Sequence, residues 1–353
     1  MAKTITIFLA LVLTLALVTG CAGTPVIYYT NCTCPVGGHT QEPTPPPAEG
    51  ALKTGLYIGT SVSDSKSAAA DASGEAAYDV TIVAVTVDDK GIIRDCIIDS
   101  IKASVAFDTT GAVTSDLTAE VLTKNELGEA YGMKAYGGSK YEWNEQAAAL
   151  AKYAKGKTVA ALKEGAVNES GKAKDADLAS IATIKIGGYV DAIEAAVANA
   201  KHLGAQSGDT LKLAVISGIG SSVSATAEKA GTAQLDSDVV ALTEKDGIIT
   251  SCYIDALQAK VNFDATGTIT TDLTAAPQAK NELGEGYGMK AWGNAKFEWN
   301  EQAANFAKYA KGKTADQIAN IAVTEGKPSD ADLSATVTIA IGGFQALIAK
   351  AMK

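Results

Sequence analysis

Lys124-Asn-Glu-Leu-Gly-Glu129, Tyr131-Gly-Met-Lys-Ala135 and Glu142-Trp-Asn-Glu-Gln-Ala-Ala148 return letter for letter as Lys280–Glu285, Tyr287–Ala291 and Glu298–Ala304. Residues 116–158 and 272–314 overlay without a gap, with about three quarters of positions identical. The strand-like segments before this block and the helix after it recur as well. The chain is therefore read as a duplicated domain, not as a solenoid unit of about 20–50 residues. Whatever one copy does is expected at two places.

Working outward, Tyr78-Asp-Val-Thr-Ile-Val-Ala-Val-Thr-Val87 is rich in β-branched residues and reads as a strand. Asp88-Asp-Lys-Gly91 is turn chemistry, and Ile92 to Phe107 continues as strand. The second copy repeats this with Val239 to Thr243, Glu244-Lys-Asp-Gly247 and Ile248 to Phe263. Asp108-Thr-Thr-Gly111 and Asp264-Ala-Thr-Gly267 look like hairpin turns. From about Glu142, Trp143, Ala147, Leu150 and Ala154 form one apolar helical stripe, matched by Trp299, Ala303, Phe306 and Ala310. Each copy is expected to close with a short β-like run (Ile181 to Ile186, Thr336 to Ile341), a Gly-Gly pair and an Ala-rich helix. Strands followed by segregated helices predict an α+β fold: two tandem domains, 51–203 and 204–353, each an antiparallel sheet with packed helices.

At 353 residues, each half is long enough to bury a core. A formal charge of −10 argues against nucleic acid. The only histidines, His39 and His202, lie outside the repeated block, which disfavours a His-based triad or metal site. Residues 1–21 read as a sorting signal: Lys3, an apolar run from Ile5 to Val18, then Val18-Thr-Gly-Cys21. The end of that run resembles the lipobox of bacterial lipoproteins. Acylation of Cys21 would hold the chain on the outer face of the cytoplasmic membrane. Residues 22–50, with Gln41-Glu-Pro-Thr-Pro-Pro-Pro-Ala-Glu-Gly50, read as a Pro-rich tether. Cys96 and Cys252 occupy equivalent strand positions and read as buried thiols. No haem or iron–sulfur spacing is present.

Asp177-Leu-Ala-Ser-Ile-Ala-Thr183, with Ser180 at its centre, precedes Gly187-Gly188 and a helix. It resembles the D-x-x-S-G-A-T signature of domains that carry covalently attached FMN, departing only at Ile181. Asp332-Leu-Ser-Ala-Thr-Val-Thr338, ahead of Gly342-Gly343, keeps the Asp and the final Thr at the same spacing. The longer repeated block is similar to the tandem-domain flavinylated lipoproteins of Gram-positive extracellular electron transfer, the PplA type.

That resemblance implies FMN joined by phosphoester to Thr183 and Thr338 through a flavin transferase. It also implies electron relay from a membrane NADH dehydrogenase or quinone-linked donor to extracellular acceptors such as ferric iron, soluble flavins or a reductase. The chain would be an electron carrier and a transferase substrate, because an unassisted threonine hydroxyl is a poor nucleophile. Helix amides behind Gly187 and Gly342 could receive the phosphate. Tyr131, Met133, Tyr287 and Met289 could cover a flavin face, Lys134 and Lys290 could balance charge, and Asn125 and Asn281 could donate to flavin carbonyls. Simple core filling, solvated lysines and helix capping are the alternatives for these residues. Thr114 and Thr270 share the Asp-to-Thr spacing and stand as rival attachment points. A surface lipoprotein with a dissociable small ligand is the alternative function.

Overall fold

The computed structural model describes residues 50–353. The sorting signal, Cys21, Cys32, Cys34 and almost all of the tether lie outside the described residues. The first half contains strands β1 (Lys53–Ser61), β2 (Gly74–Val87) and β3 (Ile93–Phe107). They are followed by helices α1 (Lys124–Leu127), α2 (Trp143–Ala154), α3 (Val159–Ala166), α4 (Ala176–Ala179) and α5 (Gly187–Ala198). The second half runs β4 (Thr210–Gly218), β5 (Gly231–Lys245) and β6 (Ile248–Phe263), then α6 (Lys280–Leu283), α7 (Trp299–Ala310) and α8 (Ala315–Ala319). A two-residue ribbon, β7 (Val323–Thr324) with β8 (Lys327–Pro328), precedes α9 (Ala331–Ser334) and α10 (Gly342–Ala351).

Each half forms an antiparallel three-stranded meander, β1-β2-β3 and β4-β5-β6. Along β2, Ala76, Tyr78, Val80, Ile82 and Ala84 face one way, and Val83 and Val85 the other. This is the period-2 alternation of a strand whose two faces are both covered. The first set packs against Leu235, Val239, Ala241, Leu257 and Phe263 of the other half in one shared core. The second set meets α2 and α5, and the equivalent face of β5 and β6 meets α7 and α10. The architecture is α+β, with four layers ordered helix, sheet, sheet, helix.

Reciprocal contacts close the shared core. Phe107 and Phe263 stack with ring centroids 4.0 Å apart and planes 2° from parallel. Gly74 and Gly231 each lie against one of these rings, where a Cβ would overlap the aromatic carbons. The Ala68 amide donates to the Gly267 carbonyl at 2.8 Å, and the Ala225 amide donates to Gly111 at 2.7 Å. Ser67 and Ser224 hydroxyls accept from the Ile269 and Val113 amides, each at 2.9 Å. The Asp108 and Asp264 turns are hairpin turns as expected, with each carboxylate gathering two amides and Gly111 at φ +69°.

Both predicted helical stripes are buried, Trp143, Ala147, Leu150 and Ala154 in one half and Trp299, Ala303, Phe306 and Ala310 in the other. β5 starts at Gly231, earlier than Val239, because Ala233 and Leu235 keep the inward alternation despite polar neighbours. The expected β-like runs Ile181–Ile186 and Thr336–Ile341 are not strands. Two amides of each run are taken by a side chain from a neighbouring helix, and the first run pairs only at the isolated Lys172–Lys185 bridge.

Asp99 and Asp255 stand at equivalent places under α1 and α6, accepting the Asn125 amide at 3.1 Å and the Asn281 amide at 2.9 Å. Burial raises both carboxyls to about 6, against the lowering effect of these amides. A raised carboxyl binds its proton more readily folded than unfolded, so stability falls as pH rises from about 4 to 6 and is flat above. Asp99→Asn with Asp255→Asn is expected to flatten that slope, read from urea unfolding midpoints at pH 4.5 and 7.

Candidate functional site

The two candidate threonines are organised by a side chain from the middle of the core helix. Gln146, fully buried on α2, accepts from the Thr183 amide at 2.8 Å, the Ile184 amide at 3.1 Å and the Thr183 hydroxyl at 3.1 Å. Its Nε2 donates to the Tyr141 carbonyl at 3.0 Å and the Ser139 hydroxyl at 3.2 Å. Gln302 repeats the arrangement with Thr338 and Ile339 at 2.8, 3.2 and 3.2 Å, and donates to Phe297 at 3.1 Å. Thr183 and Thr338 are themselves exposed, so a hydroxyl tied on one side still faces outward. Replacing Gln146 by Leu strands two amides. It is expected to cost about 2–3 kcal/mol in urea unfolding, with a similar loss for Gln302→Leu.

A buried carboxylate positions the neighbouring segment. Glu142, at the start of α2, accepts from the Met133 amide at 2.8 Å and the Lys134 amide at 3.0 Å. Glu298 does the same for Met289 and Lys290 at 2.8 and 2.9 Å. The Tyr-Gly-Met-Lys segment and the Asp-to-Thr segment, about 50 residues apart in sequence, thus meet at the start of α2 or α7. Gly132 and Gly288, in the left-handed region, carry the rings of Tyr136 and Trp292 above them. These two aromatics are 92% and 82% exposed, at matching positions.

Beside this junction sits a buried ammonium in each half. Lys124, 6% exposed, holds Nζ 5.1 Å from the ring centroids of both Tyr131 and Trp143. Lys280, 8% exposed, lies 4.8 Å from Tyr287 and Trp299. Neither ammonium has an ion pair or hydrogen bond among the described residues. Burial lowers the Lys124 pKa and nearby Lys102 lowers it further, against Asp79. The Trp143 indole N–H donates to the Tyr189 hydroxyl at 3.1 Å, which links the cluster to the first turn of α5. In the second half, Trp299 meets Phe344 of α10 edge-on at 5.9 Å.

Both closing helices begin at the Gly-Gly pair without a side-chain cap and with no acidic residue in the first turn. The Gly187 amide reaches the Gly171 carbonyl at 3.1 Å. Neither helix supplies an anion of its own at its positive end, and at α10 the Asp238 carboxylate lies close by, Oδ2 3.4 Å from where a Gly343 Cβ would stand.

The remaining expected site residues fall elsewhere. Asp177 is exposed inside the single turn of α4, whose cap is Asp175, and Ser180 returns its hydroxyl to the Asp177 carbonyl at 2.7 Å. Asp332 is likewise inside α9, capped by Asp330. Asn125 and Asn281 donate to the Ile98 and Ile254 carbonyls at 2.9 Å each, fastening α1 and α6 to the sheets. Lys134 pairs with Glu129 and Glu145, and Lys290 with Glu285 and Glu301, all on the surface. Thr114 and Thr270 sit exposed beside hairpin turns, bonded only through their amides. Cys96 and Cys252 are free and buried, and burial pushes the Cys252 thiol up to about 12.

Sequence reasoning passed over Lys124, Gln146, Glu142 and their counterparts. All lie within stretches identical in both copies, and that identity was the available signal. A groove of about 1040 Å³ lies between the halves, lined by Tyr57, His202, Tyr253, Asn281 and Lys308 among others, and a smaller one of about 470 Å³ lies beside Asn125. Neither is lined by the candidate threonines. The site is a surface built on an α+β scaffold, with an exposed threonine, a caged ammonium and an uncapped helix start. Compared with protein-family models, curated proteins and solved structures, the chain matches none.

Proposed function

We propose that the protein is a membrane-anchored extracellular electron carrier holding one covalent FMN in each half, on Thr183 and Thr338. The observation that carries this reading is the duplicated constellation: an outward-facing threonine held by a buried glutamine, next to an unpartnered ammonium among aromatic rings. A bound FMN would supply reversible electron uptake, which no side chain here can offer.

The residues fit the group. Thr183 would carry the phosphate, and the amides after Gly187 would receive its charge. Lys124 supplies a cation whose desolvation the rings of Tyr131 and Trp143 and the field of Asp79 offset only in part. Tyr131 and Met133 give the ring system apolar and polarisable contact, and Tyr136 is free to turn over it. Gln146 and Glu142 hold the two segments in register, so that attachment requires no rebuilding of the backbone. Covalent linkage suits a carrier outside the cell, where a dissociable flavin would be lost. Each half then serves as one FMN-binding unit of a tandem pair, a substrate of a flavin transferase, charged by a membrane dehydrogenase or quinone-linked donor.

Co-expression with a flavin transferase is expected to give yellow protein with two FMN increments by intact mass. Colourless, unmodified protein under those conditions removes the reading. The groove between the halves supports a second one, a dissociable small ligand. Saturable binding of a metabolite to flavin-free protein, lost on Tyr253→Ala, would favour it.

A further inference from the structure

The two sites share a frame but not a charge. On the helix-facing side of each sheet, Asp79 pairs across the ladder with Lys102, and Asp236 with Gln258. Two residues along, the first half has Thr81 where the second has Asp238. Counting the caged ammonium itself, and apart from Asp99 and Asp255, which the halves share, the first half therefore sets two lysines and one aspartate and the second one lysine and two aspartates.

These groups belong to the sites. Gln258 accepts from the Tyr287 hydroxyl at 2.8 Å and donates to Asp236 at 3.2 Å, and Tyr287 is the ring that Lys280 covers. Asp238 places Oδ2 3.4 Å from where a Cβ on Gly343 would stand, against the uncapped start of α10. A carboxylate there already occupies part of the positive field that the first half leaves open at α5. Asp238 is half-buried, so solvent screens it less than the exposed Asp79 and Lys102. Burial raises the Asp238 pKa, Lys280 opposes this and Asp236 adds to it. If Asp238 took up a proton, Lys102 alone would still leave a difference of one charge.

We infer that Thr81/Lys102 and Asp238/Gln258 set unequal redox potentials, the site in the first half accepting electrons more readily than the site in the second. The inference rests on the proposed FMN attachment. Reduction adds negative charge until protons follow, so the positive surroundings favour the reduced group and the negative surroundings oppose it. On exchange, the group at Thr338 is oxidised and that at Thr183 is reduced by the same number of electrons, with protons balanced through solvent. A reductant of the quinol or dehydrogenase class would fill the first half before the second, and an electron entering at the second would pass on to the first.

The test uses the full chain carrying one flavin at a time. Thr338→Val leaves the first site and Thr183→Val the second, and spectroelectrochemistry reads each midpoint potential. The first site is expected to prefer electrons at least tenfold, about 30 mV for a two-electron couple. Asp238→Thr with Gln258→Lys should raise the second site toward the first. Thr81→Asp with Lys102→Gln should lower the first toward the second, and added salt should narrow the gap. Equal or reversed potentials in protein shown by mass to carry flavin overturn the inference alone, as do charge exchanges that move nothing. Protein that accepts no flavin at either threonine overturns the attachment reading and this inference with it.

Discussion

Thr183→Val is expected to remove one of two FMN increments from protein made with a flavin transferase, Thr338→Val the other, and the double variant to emerge colourless. Valine keeps the β-branched shape, and both backbone amides at each site still reach Gln146 or Gln302. The only bond lost is the hydroxyl to the glutamine, worth about 1 kcal/mol, so the variants should fold. Loss of colour would then report attachment rather than collapse. Peptide mapping decides between these threonines and Thr114 or Thr270. An increment on either of the latter pair would leave the carrier role standing and dismiss the Gln146 arrangement as its basis.

The second large effect concerns the shared core. Phe107→Ala or Phe263→Ala removes one member of a stacked, fully buried pair, with an expected cost of about 3–5 kcal/mol each. Because the rings touch, the double variant should cost less than the sum of the two. Residues 51–203 made alone would expose the inner sheet face carrying Leu56, Val80, Ile82, Ile101 and Phe107. Such a fragment is expected to aggregate or pair with its complement rather than stay monomeric. One cooperative calorimetric transition in the intact chain, and recovery of a compact particle on mixing residues 51–203 with 204–353, are the outcomes that follow. Two independent transitions would show that the halves stand alone.

Several features of the site follow from the same rule: a group that must leave water needs a partner. Gln146 satisfies amides that have no strand beside them, and Glu142 satisfies the amides after Gly132. Lys124 and Lys280 meet ring faces rather than hydrogen-bond partners, and on the same helices as the glutamines the buried Asn144 and Asn300 Oδ1 atoms also go without a partner. Cation–ring contact offsets part of the cost of burying an ammonium, and an anionic ligand would offset more. The exposed Lys134 and Lys290 differ, because neighbouring glutamates already meet their charges.

Local periodicity and duplication were enough to read β2, β3, β6, the core stripes of α2 and α7, the Asp-Gly turns and the equivalence of the halves. Those depend on residues within a few positions of one another, where alternation or a 3.6-residue stripe leaves its mark. Local reading failed between residues 181 and 186, where β-branched letters suggested a strand but a glutamine 37 positions earlier takes the amides. It also could not say which lysine is buried, because Lys124 and Lys134 both sit in the same repeated block. Nor could it show that both faces of each sheet are covered, one by helices and the other by the second half. Sequence by itself determined the repetition, the central strands, the two core helices and the two closing helices, but not β1, β4 or the short helices. Tertiary structure decided the shared core, the partners of each threonine and the charges gathered around each buried lysine, because burial and pairing are settled by groups far apart in the chain.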